Sequence, residues 1–174
     1  DDASFLVESR PRHELGRLRK SEILMNQADW QNAESELREL LKLNNNHSMG
    51  LVHLGTCMIA MGKSEQAEKP LNKAIATNPN LSEAWYQRGL LYLDFGRSEE
   101  AISDFEGAVK ANPQHLDARL RIAAILHEEK DSEKAASAWR KVLDIDPQNR
   151  LARRRLAECR NQITSQRDVQ VPKD

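Results

Sequence analysis

The feature that most constrains this chain is a period of 34 residues. Stepping the segment SEAWYQRGLLYLDFGRSEEAISDFEGAVKANPQH, residues 82–115, along the sequence starts repeats at Glu14, Ser48, Ser82 and Leu116. The eighth position is then Ser21, Gly55, Gly89 and Ala123, always small, and the twentieth is Ala33, Ala67, Ala101 and Ala135. Small residues recur in this way where two antiparallel helices approach closely, so the two columns are read as the two sides of one helix–helix contact. Position 24 carries Leu37, Leu71, Phe105 and Trp139, and position 28 carries Leu41, Ile75, Val109 and Leu143. Their spacing of four makes one helical stripe per repeat.

Turn chemistry falls where these helices must stop. Gly62 and Gly96 are placed to take the left-handed conformation after a first helix, and Pro79, Pro113 and Pro147 close the second helices. Ser64, Ser98 and Ser132 are expected as N-caps. Pro70 falls inside a predicted second helix, where it deletes the hydrogen bond to the Gln66 carbonyl and predicts a local kink. A further helix is expected over residues 150–163, with Leu151, Ala152 and Leu156 on one side and arginines on the other. It would close the open end of the stack. Residues 1–13 and 164–174 read as tails, the first carrying an apolar Phe5-Leu6-Val7 plug that could pack in the protein's own groove or a neighbouring copy's.

Composition agrees with helix. Aromatic residues make up 5% of the chain, whereas Ala, Leu, Glu, Lys, Arg and Gln abound, and these lose little side-chain freedom in a helix. The net charge is −1, so no whole-molecule field favours nucleic acid. Residues 150–174 nevertheless hold seven Lys or Arg against three acids, an excess of +4. Two cysteines 102 residues apart, Cys57 and Cys159, define no disulfide framework and favour a reducing, cytoplasmic setting. No apolar run has the roughly 20 residues of a membrane span. The sequence begins at Asp1 without Met, which reads as a processed or truncated product whose localisation is not legible.

Trp85, Gly89, Tyr92, Ala101, Phe105, Ala108 and Pro113 together resemble the tetratricopeptide repeat pattern, over residues 14–149. The first repeat departs from it most, with Arg17 for Trp, Lys20 for Leu and Asn45 for Pro. The resemblance implies an all-α, right-handed superhelical solenoid of antiparallel helix pairs, with repeats at 14–47, 48–81, 82–115 and 116–149. It also implies a non-catalytic protein-interaction module that needs no cofactor and binds a peptide or amphipathic helix in a concave groove lined by the first helices.

By that geometry the groove is lined by Met49, Val52, His53, Thr56 and Ile59 in repeat two and by Tyr86, Gln87, Leu90, Leu93 and Asp94 in repeat three. Repeat four adds Leu120, Arg121, Ala124, His127 and Glu128. A groove this apolar suits an amphipathic helix or extended apolar peptide. Co-chaperone members of the family instead grip a terminal carboxylate with Lys, Asn, Asn, Lys and Arg. Those places hold Leu18, Glu22, His53, Glu83 and Gln87 in one register and Val52, Thr56, Gln87, Asp117 and Arg121 in the next. Only Arg121 fits, which argues against Hsp70 or Hsp90 tails. The alternative is a self-assembling scaffold or adaptor on an organelle or membrane-associated complex, joined as a homo-oligomer by tail-in-groove or cap contacts. The basic cap of Arg150, Arg153, Arg154, Arg155 and Arg160 is either a solvated face or a dock for an acidic or phosphate-bearing partner.

Catalysis finds no foothold. His13, His47, His53, His115 and His127 contain no i, i+3 or i+4 pair that would ligate a metal, and read as scattered surface residues. His127 and Glu128 are adjacent, so they diverge on a helix and read as groove-rim contacts. Cys57 and Cys159 both fall at position 10, a packing site, and Trp30, Trp85 and Trp139 at packing positions too. Neither a phosphate-cradling glycine loop nor a nucleophile elbow occurs.

Overall fold

A computed structural model of the chain describes residues 14–170. The N-terminal tail 1–13 with its Phe5-Leu6-Val7 plug, His13 and the end of the C-terminal tail at 171–174 lie outside the described residues. Within them the chain is helical without a strand: α1 (Glu14–Asn26), α2 (Trp30–Leu43), α3 (Ser48–Ala60), α4 (Ser64–Thr77) and α5 (Ser82–Asp94). These continue into α6 (Ser98–Ala111), α7 (Leu116–Glu128), α8 (Ser132–Leu143) and α9 (Arg150–Gln170). Each helix packs on its predecessor and successor, and first helices also touch the first helix of a neighbouring repeat, α1 on α3, α3 on α5 and α7 on α9. Contacts confined to near neighbours along the chain are the signature of a solenoid.

The alanine column at position 20 is fully buried in all four repeats, as are Ser21 and Ala123 of position 8. The partner of position 8, however, is position 24 and not position 20. A Cβ on Gly55 would lie 2.7 Å from the Leu71 side chain, and one on Gly89 would lie 2.7 Å from the Phe105 ring. The small residue is there to admit the large one across the hairpin, so the repeat's smallest and largest columns form a single contact. Pro70 is buried within α4, which runs on from Ser64 to Thr77.

The turns show how a pattern survives without its signature residues. The residue that ends each hairpin turn has positive φ in every repeat: Ala28 at 57°, Gly62 at 73°, Gly96 at 70° and Lys130 at 61°. In the first three repeats the following amide reaches back into the last turn of the helix, from Asp29 to Leu24, Lys63 to Met58 and Arg97 to Tyr92, at 2.8–2.9 Å. Ala28 and Lys130 therefore hold a left-handed conformation that costs a side chain about 1–2 kcal/mol. Between repeats, Asn44, Asn78, Asn112 and Asp146 each accept on a side-chain oxygen from the amide two residues on, at 3.0–3.2 Å. This Asx turn recurs in repeat one, where Asn45 replaces Pro.

Helix N-caps differ from expectation. Ser64, Ser98 and Ser132 are the first helical residues, and the caps are Lys63, Arg97 and Asp131. Only Asp131 of these accepts a side-chain hydrogen bond, from Lys134 N, while the Ser132 hydroxyl donates to Gln162 on α9 at 2.7 Å. Two histidines that read as scattered are caps: His47 Nδ1 accepts from Gly50 N at 3.0 Å and His115 Nδ1 from Ala118 N at 3.3 Å. The capping helix continues past residue 163 to Gln170, so the start of the expected C-terminal tail is helical.

Candidate functional site

The first helices form one layer because their small residues draw them against the second helices behind. On this layer Met49, His53, Thr56 and Ile59 of α3 are half-buried, as are Tyr86, Gln87, Leu90 and Leu93 of α5 and Leu120 and Ala124 of α7. Asp94, Arg121 and Glu128 are exposed. Val52 departs from the expected lining. It is 1% exposed, packed with Leu51, Ala74, Ile75 and Ala84, and serves to stack repeat two against repeat three.

Tyr86 is partly engaged in the same way. Its ring lies 5.6 Å from that of Phe105 and 4.9 Å from that of His115, filling the corner between α5, α6 and the start of α7. Gln87 donates to Glu83 at 2.6 Å, and the Thr56 hydroxyl donates to the Val52 carbonyl at 3.1 Å. His53 has a buried Nδ1 without a hydrogen-bond partner. Burial holds its imidazole below the ordinary histidine range, opposed by Glu22 and Glu83.

His127 turns toward α9. Its Nδ1 is 3.4 Å from Cys159 Sγ, and its Nε2 is 3.2 Å from Arg155 and 3.6 Å from Glu158. Its ring meets Trp139 edge-on at 6.4 Å. A thiol beside an imidazole beside a carboxylate has the outline of a nucleophilic site, but Cys159 is fully buried. Burial, and then Glu158, push its thiol up, away from the thiolate a nucleophile needs. Cys57 is also fully buried, and desolvation pushes its thiol up to about 11. Both cysteines thus behave as packing residues. The meeting of His127 and Cys159 escaped the sequence because they lie on different helices, α7 and α9, 32 residues apart.

The basic cap is partly neutralised internally. Arg154 and Arg155 both pair with Glu158 at 2.9 Å, and their hydrogen bonds hold its carboxyl below the usual range. Arg153 Nε donates to the Pro147 carbonyl at 2.8 Å. Arg150 and Arg160 are exposed. Among the described residues no group of three or more His, Cys, Asp or Glu could hold a metal ion, and no helix is long and apolar enough to cross a membrane.

Helix hairpins stacked on their near neighbours along the chain define an α-solenoid of helical repeats. The tetratricopeptide repeat family model matches residues 59–114 and 86–150, more than half of the chain, and the chain belongs to that family. No curated protein matches the sequence. Among solved structures, the chain is similar to MamA, at 20% identity and a TM-score of 0.74 over 83% of this chain and 85% of that one. It is also similar to TTC0263, a thermophilic TPR protein of Thermus thermophilus, at 18% identity and a TM-score of 0.74 over 90% and 86%. YrrB, a TPR protein with an unusual peptide-binding site, shares 19% identity and a TM-score of 0.53 over 87% and 96%. At these identities the likeness concerns the fold. That fold generally serves as a non-catalytic module for protein–protein interaction.

Proposed function

We propose that the chain binds a peptide or amphipathic helix of a partner protein along its layer of first helices, and that it catalyses no reaction. The observation that carries this reading is the run of half-buried Ile59, Leu90, Leu93 and Leu120 across three successive first helices, beside exposed Asp94 and Arg121. Apolar side chains in register with charged neighbours offer an entering segment both burial and orientation. Val52, Tyr86 and His127 then support the surface from behind. A photo-crosslinking residue placed at Asp94 or Arg121 is expected to capture partner peptides, and the same residue at Lys73 or Glu99 on second helices is not. Capture only from the second helices would move binding to the other face. A scaffold built from copies of the chain is the second reading, favoured by Leu151, an apolar side chain 50% exposed on the outermost helix α9. A constant molecular mass over a concentration series removes it.

A further inference from the structure

A second site lies outside that candidate lining. Between α6, α7 and α8 is a cleft of about 270 Å³, floored by Val109, Ile122, Leu126 and Ala138. Arg119, Lys134, Lys141 and Glu106 also line it. Arg119 donates to the Pro113 carbonyl, Lys134 pairs with Asp131 at 2.8 Å, and both are exposed enough to meet another charge. Lys141 has no carboxylate within pairing distance among the described residues.

The 34-residue register shows what normally fills such a space. One repeat earlier, the place of Arg119 is taken by Trp85, whose Nε1 donates to the Pro79 carbonyl at 2.8 Å and whose indole covers Gly107. The place of Ile122 is taken by Arg88, and that of Ala138 by the buried Asp104, which Arg88 grips with two hydrogen bonds of 2.6 and 2.7 Å. Asn72 accepts from the same guanidinium, in the place of Glu106. Repeat four thus keeps the position but lacks the indole, and a lysine stands where glycine made room for it.

We infer that this cleft docks a segment of a partner protein that presents a large apolar or aromatic side chain flanked by carboxylates. The side chain enters the cleft beside Arg119, which stands in the place of Trp85, and packs against the apolar floor. The carboxylates face Lys141, Lys134 and Arg119, three cations against Glu106 and the Asp131 that pairs with Lys134. The site shares no residue with the candidate lining of Ile59, Leu90, Leu93, Asp94, Leu120 and Arg121, so either can fail without the other.

The test uses the whole chain, with methyl-resolved NMR and the peptide acetyl-Asp-Glu-Trp-Glu-Asp-amide as probe. The peptide is expected to shift the methyls of Val109, Ile122 and Leu126 saturably, leaving those of Ile59 and Leu93 in place. Lys134→Glu with Lys141→Glu, exposed changes that leave the floor intact, should weaken it about tenfold. A peptide with Ala for Trp should lose binding, as should Arg119→Trp with Lys141→Gly, which restores the internal indole. Floor methyls unmoved by the peptide, or equal affinity for the charge-reversed protein, would overturn the proposal. So would saturation by decanoate without any effect of the peptide, which would make the cleft a lipid site.

Discussion

The junction between repeats two and three and the junction between repeats three and four use the same positions to opposite ends. In the first, Arg88 ties Asp104 and Asn72 together, its guanidinium lies 5.3 Å from the Trp85 ring and 5.6 Å from that of Tyr92, and Tyr92 donates to Glu68 at 3.0 Å. In the second, Ile122, Leu126 and Ala138 replace Arg88, Tyr92 and Asp104, and a cleft remains. A repeat protein needs each unit to stack, but it does not need each to stack by the same chemistry. The closed junction contributes rigidity, and the open one leaves apolar surface for a partner.

Removing the acid from the closed junction should have the largest effect. Asp104→Ala leaves the Arg88 guanidinium, 17% exposed, without its carboxylate, and is expected to cost about 3 kcal/mol in denaturant unfolding. Ala138→Asp in the open junction should likewise destabilise, because an acid enters an apolar floor only 8% exposed, without the bidentate arginine that Asp104 has. Adding Ile122→Arg should recover much of that loss, and a double-mutant cycle showing no coupling would break the equivalence of the two junctions.

Next in size is Gly107→Ala. Its Cβ would sit 2.7 Å from the Trp85 ring, and overpacking there should cost about 2 kcal/mol, whereas Lys141→Ala at the same position of the open junction should be nearly neutral. Equal effects by thermal unfolding would show that the indole gives way freely.

The hairpin turns of the same two repeats extend the contrast. Gly96 takes its positive φ without strain, but Lys130 does not, so Lys130→Gly should stabilise by about 1 kcal/mol and Gly96→Lys should destabilise by a similar amount. A destabilising Lys130→Gly would sink the account of that turn.

The smallest expected effect is one of pH. His53, beside the closed junction, faces Glu22, Glu83 and His47, and burial lowers its pKa in the folded state. The unfolded chain, with histidine near about 6.5, then binds the proton more readily than the native state. The contribution of neutral His53 is full above that value and is lost as pH falls through it toward the lower folded pKa. Urea midpoints at pH 8 and pH 5.5 should differ less in His53→Gln than in the parent. An unchanged difference would assign the acid sensitivity elsewhere.

The sequence made the stack legible because packing recurs: Ala33, Ala67, Ala101 and Ala135 sit in one column and are all fully buried. What recurs by conformation instead of identity was harder to see. Ala28 and Lys130 fill the slot of Gly62 and Gly96, and Asn44 supplies the turn where Pro is missing. Arg17 and Lys20, departures from the repeat pattern, both pair with Glu36 at 2.7 and 2.9 Å and hold α1 to α2 by charge. Of the candidate lining, Val52 is buried toward repeat three and His127 turns to α9. That depends on how tightly each junction closes, which one repeat's sequence does not encode. The cleft was invisible for the same reason, being an absence defined only by comparison with the preceding repeat.

The contrast between junctions is tested most directly by native-state amide exchange resolved along the chain. The account predicts that α5 and α6 exchange only with global unfolding, while α7 and α8 open at lower free energy and gain protection when the acidic tryptophan peptide is added. Equal protection of the two helix pairs without peptide, or greater protection of α7 and α8, would contradict it.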